Sequence, residues 1–328
     1  MTNNEYVLGL DTSNYTTSVA LIDRYYKVVE DRRKTIIVKE GMKGIRQSEA
    51  LFQHMDNLPD LLKDILRKYG RNLAAVCASA KPRPVEGSYM PVFKSGLNYG
   101  HIISDSLSIP LHLTSHQEGH IEAGLYGQKN LLKSDSRSRE GLAVFHLSGG
   151  TTEILYQNKI IGGSNDISIG QLLDRIGVNG GLTFPAGEEL DRMACEALAL
   201  AGNYAGLRKK ALKNFKYISK DGLNINLSGI DTQIKRMITA ETYRLRDLSS
   251  SVFYLIAECL KRLTVDIKKQ YNVKSVLFVG GVSASKFIKD YLSSEFKHEK
   301  VNLYFAQTSL SADNAVGAAI IGGRSQWL

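Results

Sequence analysis

Two similar hairpin patterns, one at the start of the chain and one near its middle, constrain the fold most strongly. The first runs through residues 6–23 and turns at the small polar residues 11–17, and the second runs through residues 142–156 and turns at 148–151. Each pattern predicts two strands joined by a tight turn. Because each hairpin opens one half of the chain, together they predict a duplicated fold with a nucleotide site between the halves.

The turns themselves suggest the ligand. Ser148-Gly149-Gly150-Thr151 is built from small residues, and such turns let backbone N–H groups and hydroxyls converge on phosphate oxygens. A single turn of this kind is also a common structural element. Gly280 and Gly281 follow the apolar run 275–279 and precede a helical pattern, which is another place where backbone can approach a ligand closely.

Strand-like and helix-like patterns alternate through the rest of the chain, which predicts an α/β protein of about two domains. The predicted domains are residues 1–133, completed by a C-terminal helix at 311–328, and residues 141–310, joined by a polar linker at 134–140. Helical spacing is clearest at 47–67, 92–107, 168–178, 187–201 and 245–268. His54, His101 and His146 lie in apolar patterns and are predicted to be packed core or strand residues.

Composition excludes some classes and leaves others open. The chain has no run of about 18 apolar residues, so we expect no membrane span, and residues 1–5 do not have the character of a signal peptide. Three widely spaced cysteines predict free thiols in a reducing cytoplasm. The net charge of +9 is compatible with a nucleic-acid partner. A basic run between Arg208 and Lys220 fits either a solvated helix face or a contact with a phosphate backbone.

His116 and His120 form the most specific candidate pair. Residues four apart lie on the same face of a helix, so two imidazole nitrogens can point at one metal ion. The same spacing also fits two polar residues near the start of a helix that bind no metal. Glu118 lies two residues after His116, about 200° around a helix at about 100° per residue, and should point away from such an ion. A His-Glu-x-x-His zinc peptidase needs the opposite arrangement, so we disfavour a peptidase.

These motifs, in this order, resemble the TsaD family of tRNA threonylcarbamoyladenosine transferases, once named sialoglycoprotein endopeptidases. The matching segments are Ser115-His116-Gln117-Glu118-Gly119-His120, Leu147-Ser148-Gly149-Gly150-Thr151-Thr152, the segment around Asp174, Phe184-Pro185-Ala186-Gly187, Leu227-Ser228-Gly229-Ile230, 280–285 and Ala312-Asp313-Asn314. The resemblance covers nearly the whole chain. It implies two actin-like, ribonuclease H-like α/β domains of the heat-shock-type ATPase superfamily, with a nucleotide and metal cleft between them.

The resemblance also implies the cofactors and their ligands. His116, His120 and Asp313 would hold a divalent metal, iron or zinc. The cleft would bind ATP or an adenylate such as threonylcarbamoyl-AMP. The implied nucleotide-binding and substrate-binding residues are Ser148, Gly149, Gly150, Thr151, Asp174, Gly187, Asp191, Gly280, Gly281 and Ser285. Asp11 would be a catalytic carboxylate near the metal and phosphates, or would only cap its own turn. Implied partners are tRNA and either a TsaB-type protein or a second copy of the chain.

Several positions depart from the family pattern. Asp11-Thr12-Ser13-Asn14-Tyr15-Thr16-Thr17 lacks the later acidic residues of the family's first loop, and the loop 81–87 lacks its Gly-Pro-Gly. Thr151 replaces a histidine and Ser285 an asparagine. Three hypotheses therefore remain: a metal-dependent transferase that modifies tRNA, a catalytically divergent paralogue acting as partner or scaffold, and, least favoured, a metallopeptidase.

Overall fold

The computed structural model describes residues 5–13, 15–39, 44–126, 128, 141–240 and 243–328. Contacts divide the chain into two compact units. Of the described residues, those up to 126 and those from 307 to 328 form the first unit. Those from 128 to 306 form the second unit. The predicted linker, residues 134–140, lies outside the described residues, as does Asn14 of the first turn.

Strands and helices alternate as the sequence patterns predict. The described strands are β1 Tyr6–Thr12, β2 Thr16–Asp23, β3 Val28–Thr35, β4 Leu73–Lys81, β5 Leu111–Ser115, β6 Leu142–Leu147, β7 Thr152–Tyr156, β8 Lys159–Ser164, β9 Ser219–Asp221, β10 Asn224–Asn226, β11 Ser275–Val279 and β12 Asn302–Phe305. The described α-helices are α1 Gln47–Tyr69, α2 Phe93–Leu107, α3 His116–Leu125, α4 Ile169–Asn179, α5 Gly187–Ala201, α6 Tyr204–Asn214, α7 Ser228–Thr239, α8 Leu245–Tyr271, α9 Lys286–Glu295, α10 Thr308–Ser311 and α11 Val316–Trp327.

The two sheets share one topology, as the paired hairpins predict. The first sheet has the order β3-β2-β1-β4-β5. The second contains the equivalent order β8-β7-β6-β11-β12, and β10 and then β9 extend it beyond β8. In each sheet the hairpin strands are antiparallel and the last two strands run parallel to the first. The sequence therefore predicts the duplication correctly.

The central strand β1 of the first sheet is covered on both faces, which explains why its residues 6–10 carry no polar side chain except the Tyr6 hydroxyl. Leu8 and Leu10 pack with Leu62 and Ile65 of α1 on one face. Val7 packs on the other face with residues of α11, which comes from the far end of the chain. Successive side chains of a strand point to opposite faces, so a strand between two helical layers has no polar side.

The second unit is built around α8. Its residues from Leu248 to Ala257 are all buried, because sheet and helices surround that part of the helix. Phe253 is fully buried, and the rings of Phe145 and Phe278 stack with centroids 5.0 Å apart. Burying one such side chain stabilises the fold by about 1.5–3 kcal/mol, so this helix is a main source of the unit's stability.

Sequence reasoning misses β3 and misplaces one histidine. β3 is rich in charged residues because it is an edge strand, where charge discourages pairing with other chains. Those charges hide the period-two pattern. His101 is exposed on α2, so the prediction that it is a core residue is wrong. His54 and His146 are buried, as predicted.

Asp166 fixes the loop between β8 and α4 to the start of α7. Its carboxylate accepts hydrogen bonds from the backbone N–H of Ile167 at 2.7 Å, Leu227 at 2.9 Å and Ser228 at 2.8 Å. Burial raises the pKa of Asp166, but these backbone donors outweigh burial and hold it well below the usual aspartate range. The carboxylate therefore acts as a remote cap for α7.

Asp166→Asn is expected to lower the free energy of unfolding by about 1–2 kcal/mol at neutral pH, because its amide nitrogen cannot accept the hydrogen bonds that one carboxylate oxygen accepts. Because the folded state lowers this pKa, the contribution is present above the unfolded pKa and fades as pH falls through the folded pKa. Urea unfolding followed by circular dichroism measures the difference. Asp221→Asn is the control, since Asp221 is exposed on β9. Equal stability of both variants would contradict this role.

Candidate metal centre and second-hairpin turn

The histidine pair is placed by a well-defined helix start. Ser115 caps α3: its hydroxyl accepts from the Glu118 N–H at 3.2 Å, and the Glu118 carboxylate accepts from the Ser115 N–H at 2.9 Å. This reciprocal capping box makes His116 the first residue of the helix. The Glu118 carboxylate is therefore bonded to the N-terminal end of α3, and its role is to cap the helix.

His116 and His120 meet one carboxylate from near the other end of the chain. His120 Nε2 lies 3.1 Å from His116 Nε2 and 3.2 Å from Asp313 Oδ1, and His116 Nε2 lies 3.4 Å from the same oxygen. Asp313 lies just before α11, which packs against α3 in the first unit. Three potential ligand atoms thus form a small triangle.

Asp11 lies behind this triangle. Its Oδ2 is 2.9 Å from His116 Nδ1, and its Oδ1 accepts from the Ser13 N–H at 3.0 Å. The residue is 1% exposed, so its two oxygens serve two different partners in a buried setting. The sequence allows Asp11 either to act close to the metal or to cap its own turn. The contact with His116 fits the first role, and the contact with the Ser13 N–H fits the second.

Charge in the cluster is strongly coupled. Burial lowers the pKa of His116, but Asp11 and Asp313 outweigh burial and raise it to about 10. Burial and then the neighbouring His116 lower the pKa of His120. Burial raises the pKa of Asp313, yet the two imidazoles hold it well below its usual range. A metal ion at His116 Nε2 and the second proton of the imidazolium compete for the same nitrogen.

The dimensions of the triangle fit a transition metal. Metal–ligand distances of about 2.0–2.1 Å with ligand angles of about 90–110° place ligand atoms about 2.9–3.4 Å apart. The observed separations of 3.1–3.4 Å fall in this range. The Asp11–His116 contact resembles the outer carboxylate that orients a metal-bound histidine and leaves Nε2 available. The donor set and its spacing therefore suit iron or zinc.

In the second unit, the turn at Ser148–Thr151 and the glycine pair lie together at the carboxyl ends of β6 and β11. Gly280 has φ +90°, and a Cβ there would lie 2.4 Å from the Leu147 carbonyl oxygen and 3.2 Å from the Ser148 nitrogen. Any side chain would collide with the end of β6. Glycine therefore lets the two segments meet at the edge where open α/β sheets bind ligands.

The turn is held by its own side chains. The Ser148 hydroxyl accepts from the N–H groups of Gly150 at 3.2 Å and Thr151 at 3.0 Å, and lies 2.9 Å from the Thr151 hydroxyl. The Thr151 hydroxyl also lies 3.1 Å from His146 Nδ1. The Ser168 hydroxyl donates to the Gly149 carbonyl at 2.8 Å, which ties the start of α4 to the turn.

The remaining predicted binding residues contact protein groups. Asp191 accepts from the Ser285 hydroxyl at 2.6 Å and from the N–H groups of Lys286 at 2.9 Å and Phe287 at 3.2 Å, so it caps α9. Asp174 accepts from the Ala186 N–H at 2.9 Å, just before Gly187, and burial raises its pKa. These contacts fix the segments that carry the residues.

Two structural supports of the first turn escape sequence reasoning. The Thr12 hydroxyl donates to the Val92 carbonyl at 2.9 Å and accepts from the Gly96 N–H at 3.1 Å. The Thr17 hydroxyl lies 2.8 Å from Nδ1 of the buried His54. Each contact joins residues far apart in the chain, and no local pattern signals it.

Comparison with known proteins finds relatives that match along most of the chain. A family model described as tRNA N6-adenosine threonylcarbamoyltransferase matches residues 27–320. A relative of that name from Thermotoga neapolitana is 25% identical over 96% of this chain and 93% of its own. One from Bacillus subtilis is 26% identical over 97% of this chain and 89% of its own.

The fold also has solved counterparts. Component A of (R)-2-hydroxyglutaryl-CoA dehydratase from Acidaminococcus fermentans superposes with a TM-score of 0.53 at 12% identity, covering 98% of this chain and 99% of its own. At that identity the likeness concerns the fold alone. Together with the two sheets, it confirms the predicted class of two actin-like α/β domains.

Proposed function

Since the chain belongs to the tRNA N6-adenosine threonylcarbamoyltransferase family, we propose that it moves a threonylcarbamoyl group from an adenylate to a tRNA adenosine. In this reaction the adenosine N6 nitrogen forms a bond to the carbamoyl carbon. The bond from that carbon to the phosphate oxygen breaks, AMP leaves with the electron pair, and the amine loses a proton to a base. The observation that carries the proposal is the convergence of His116, His120 and Asp313.

These three residues would hold a divalent metal, iron or zinc. When bound, the ion supplies a Lewis acid that stabilises negative charge on carbamoyl or phosphate oxygens. The chain's own residues prepare that site. Asp11 orients His116 through Nδ1, and the Ser115–Glu118 cap fixes the start of the helix that carries both histidines. In this proposal Asp11 is a positioning residue.

We assign adenylate binding to the second-hairpin turn and the glycine pair. Ser148, Gly149, Gly150 and Thr151 provide small side chains and backbone next to Gly280 and Gly281, where a phosphate can approach closely. We further assign Asp174 and Asp191 to ribose hydroxyls or the threonyl part, Gly187 to the close approach of a flat ring, and Ser285 to the adenine. Asp191 already accepts three hydrogen bonds, and a carboxylate has about four acceptor positions, so one remains for a hydroxyl.

A divergent paralogue acting as a partner or scaffold is the alternative. The observation that favours it is the replacement at the adenylate turn. Thr151 stands where the family pattern has histidine, and its hydroxyl lies 3.1 Å from His146 Nδ1 and 2.9 Å from the Ser148 hydroxyl. A turn tied to protein groups in this way has less freedom to rearrange around a ligand.

A transfer assay separates the two functions. Purified chain is incubated with unmodified tRNA and threonylcarbamoyl-adenylate, alone and with a TsaB-type partner protein, and nucleosides are analysed by mass spectrometry. We expect N6-threonylcarbamoyladenosine and about one bound metal ion per chain, with product lost after chelation. Bound metal without product under both conditions would refute the transferase and favour the scaffold. Casein cleavage that His116→Ala abolishes would instead support a peptidase.

The proposal includes the cell compartment and the assembly. Cys77, Cys195 and Cys259 are free, and burial raises the pKa of their thiols to about 12, 11 and 12 respectively. Such thiols are unreactive at neutral pH, which suits a reducing cytoplasm. No helix of the described residues has the length and apolarity needed to cross a bilayer.

The proposed partner is a TsaB-type protein or a second copy of the chain. The proposed domains are residues 1–133 completed by 311–328, and residues 141–310.

A further inference from the structure

A basic cavity lies in the second unit, between the end of α6, strands β9 and β10, and the start of α7. Its volume is about 570 Å³, within the range of about 300–1,000 Å³ common for ligand pockets. Among the described residues that line it are Lys213, Lys216, Tyr217, Asn226, Gly229 and Gln233, and none of the described lining residues is acidic. It contains none of the residues assigned to metal or adenylate.

The surrounding segment concentrates the positive charge of the chain. Residues 203–240 contain eight Lys or Arg and two Asp, which gives six of the nine net positive charges in roughly a ninth of the sequence. Asp231 is paired with Arg175 at 3.0 Å, so one of these two acids is already neutralised by a residue outside the segment. Such a local excess attracts a polyanion.

The lysines at the cavity are available. Lys210 and Lys220, on the same segment, form ion pairs with Asp247 and Asp266. Lys213 and Lys216 are exposed and have no acidic partner within ion-pair distance among the residues that the structure describes. These two are therefore the positive charges that an incoming ligand can neutralise.

The cavity also offers contacts suited to a base. Tyr217 is 37% exposed, and the guanidinium of Arg262 lies over its ring, 5.6 Å from the centroid. Asn226 and Gln233 add amide groups to the lining. An aromatic ring with an adjacent guanidinium is a common platform for unpaired bases, and the amides can bond to base edges.

We propose that this cavity binds RNA, with Lys213 and Lys216 on the phosphate backbone and Tyr217 against a base. The inference rests on the proposed function only for the identity of the RNA, a tRNA. Charge alone fits an acidic protein equally well. The aromatic and amide lining favours RNA.

Binding of an unmodified tRNA transcript to the full-length chain tests this assignment, by fluorescence anisotropy at several salt concentrations. For K213A/K216A we expect at least about 10-fold weaker binding and a salt slope smaller by about 1.5, since each lost phosphate contact removes about 0.7–0.9 from the slope. K297A/K300A removes two exposed lysines of the same unit and should leave both values unchanged. Tyr217→Leu should weaken binding roughly 5- to 100-fold without changing the slope, as lost stacking does.

Equal affinity and slope for K213A/K216A and the wild-type chain would overturn the inference. So would displacement of tRNA by poly-glutamate as effectively as by polyuridine of equal charge. The measurement needs neither adenylate nor metal. An RNA-binding chain that makes no modified adenosine therefore refutes the proposed function alone, and an active chain whose lysine variant binds normally refutes the cavity alone.

Discussion

Replacing His120 by alanine is expected to remove the divalent metal from the purified protein and to abolish transfer activity. His120 Nε2 lies 3.1 Å from His116 Nε2 and 3.2 Å from Asp313 Oδ1, so its loss leaves two ligand atoms of the described cluster. Protein zinc sites with four ligands bind with about 10–16 kcal/mol, or about 2.5–4 kcal/mol per ligand. Loss of one ligand then weakens binding by roughly 10²- to 10³-fold. Metal analysis by inductively coupled plasma mass spectrometry after dialysis measures the change.

Two further variants make the result specific. Asp11→Asn changes the group that orients His116, so we expect metal affinity to fall about 10- to 100-fold and some activity to remain. Glu118→Gln is the matched control from the same helix, because Glu118 bonds to Ser115 and not to the cluster. Glutamine serves a capping box as glutamate does, so this variant should keep the helix start, the metal and the activity. Full metal content in His120→Ala, or metal loss in Glu118→Gln, would show that the ion is bound elsewhere.

Local patterns predict the duplicated α/β architecture, and the family resemblance adds the actin-like class. Uniform burial of β1 between two helical layers leaves an unmistakable apolar run, and the repeat of that run at β6 predicts the duplication. The family resemblance, built from short motifs spread over most of the chain, agrees with the match over residues 27–320. Patterns fail where charge replaces apolar alternation, as in the edge strand β3.

The candidate site is less predictable, because its contacts join distant parts of the chain. The i, i+4 spacing predicts that His116 and His120 share a face. Only the resemblance adds Asp313, 193 residues beyond His120. Asp11 and His116 are 105 residues apart in the chain. The sequence leaves two roles open for Asp11 and does not predict this contact. Asp191 and Ser285, both predicted to face a ligand, bond to each other, and motif reading cannot anticipate such a pair.

The packing of α11 on α3 explains how Asp313 reaches the histidines, and it depends on one glycine. A Cβ on Gly317 would lie 1.8 Å from the Gly119 carbonyl oxygen and 2.5 Å from its carbonyl carbon. Both obstacles are backbone atoms of α3 and cannot rotate away. Gly317→Ala must therefore push the two helices apart, and it would carry Asp313, four residues earlier, away from His116 and His120.

We expect Gly317→Ala to cost about 3 kcal/mol or more, at the upper end of overpacking effects, and to weaken metal binding. For a chain of 328 residues that loss lowers the melting temperature by about 4 °C or more. Gly119→Ala is the matched control in the facing helix. Its Cβ would meet nothing closer than the Ala318 nitrogen at 3.8 Å, an ordinary contact. Alanine also favours a helix over glycine by about 1 kcal/mol, so this variant should be at least as stable as the wild type and keep its metal. If calorimetry gave both variants the same melting temperature, close contact between these helices would not be what positions Asp313.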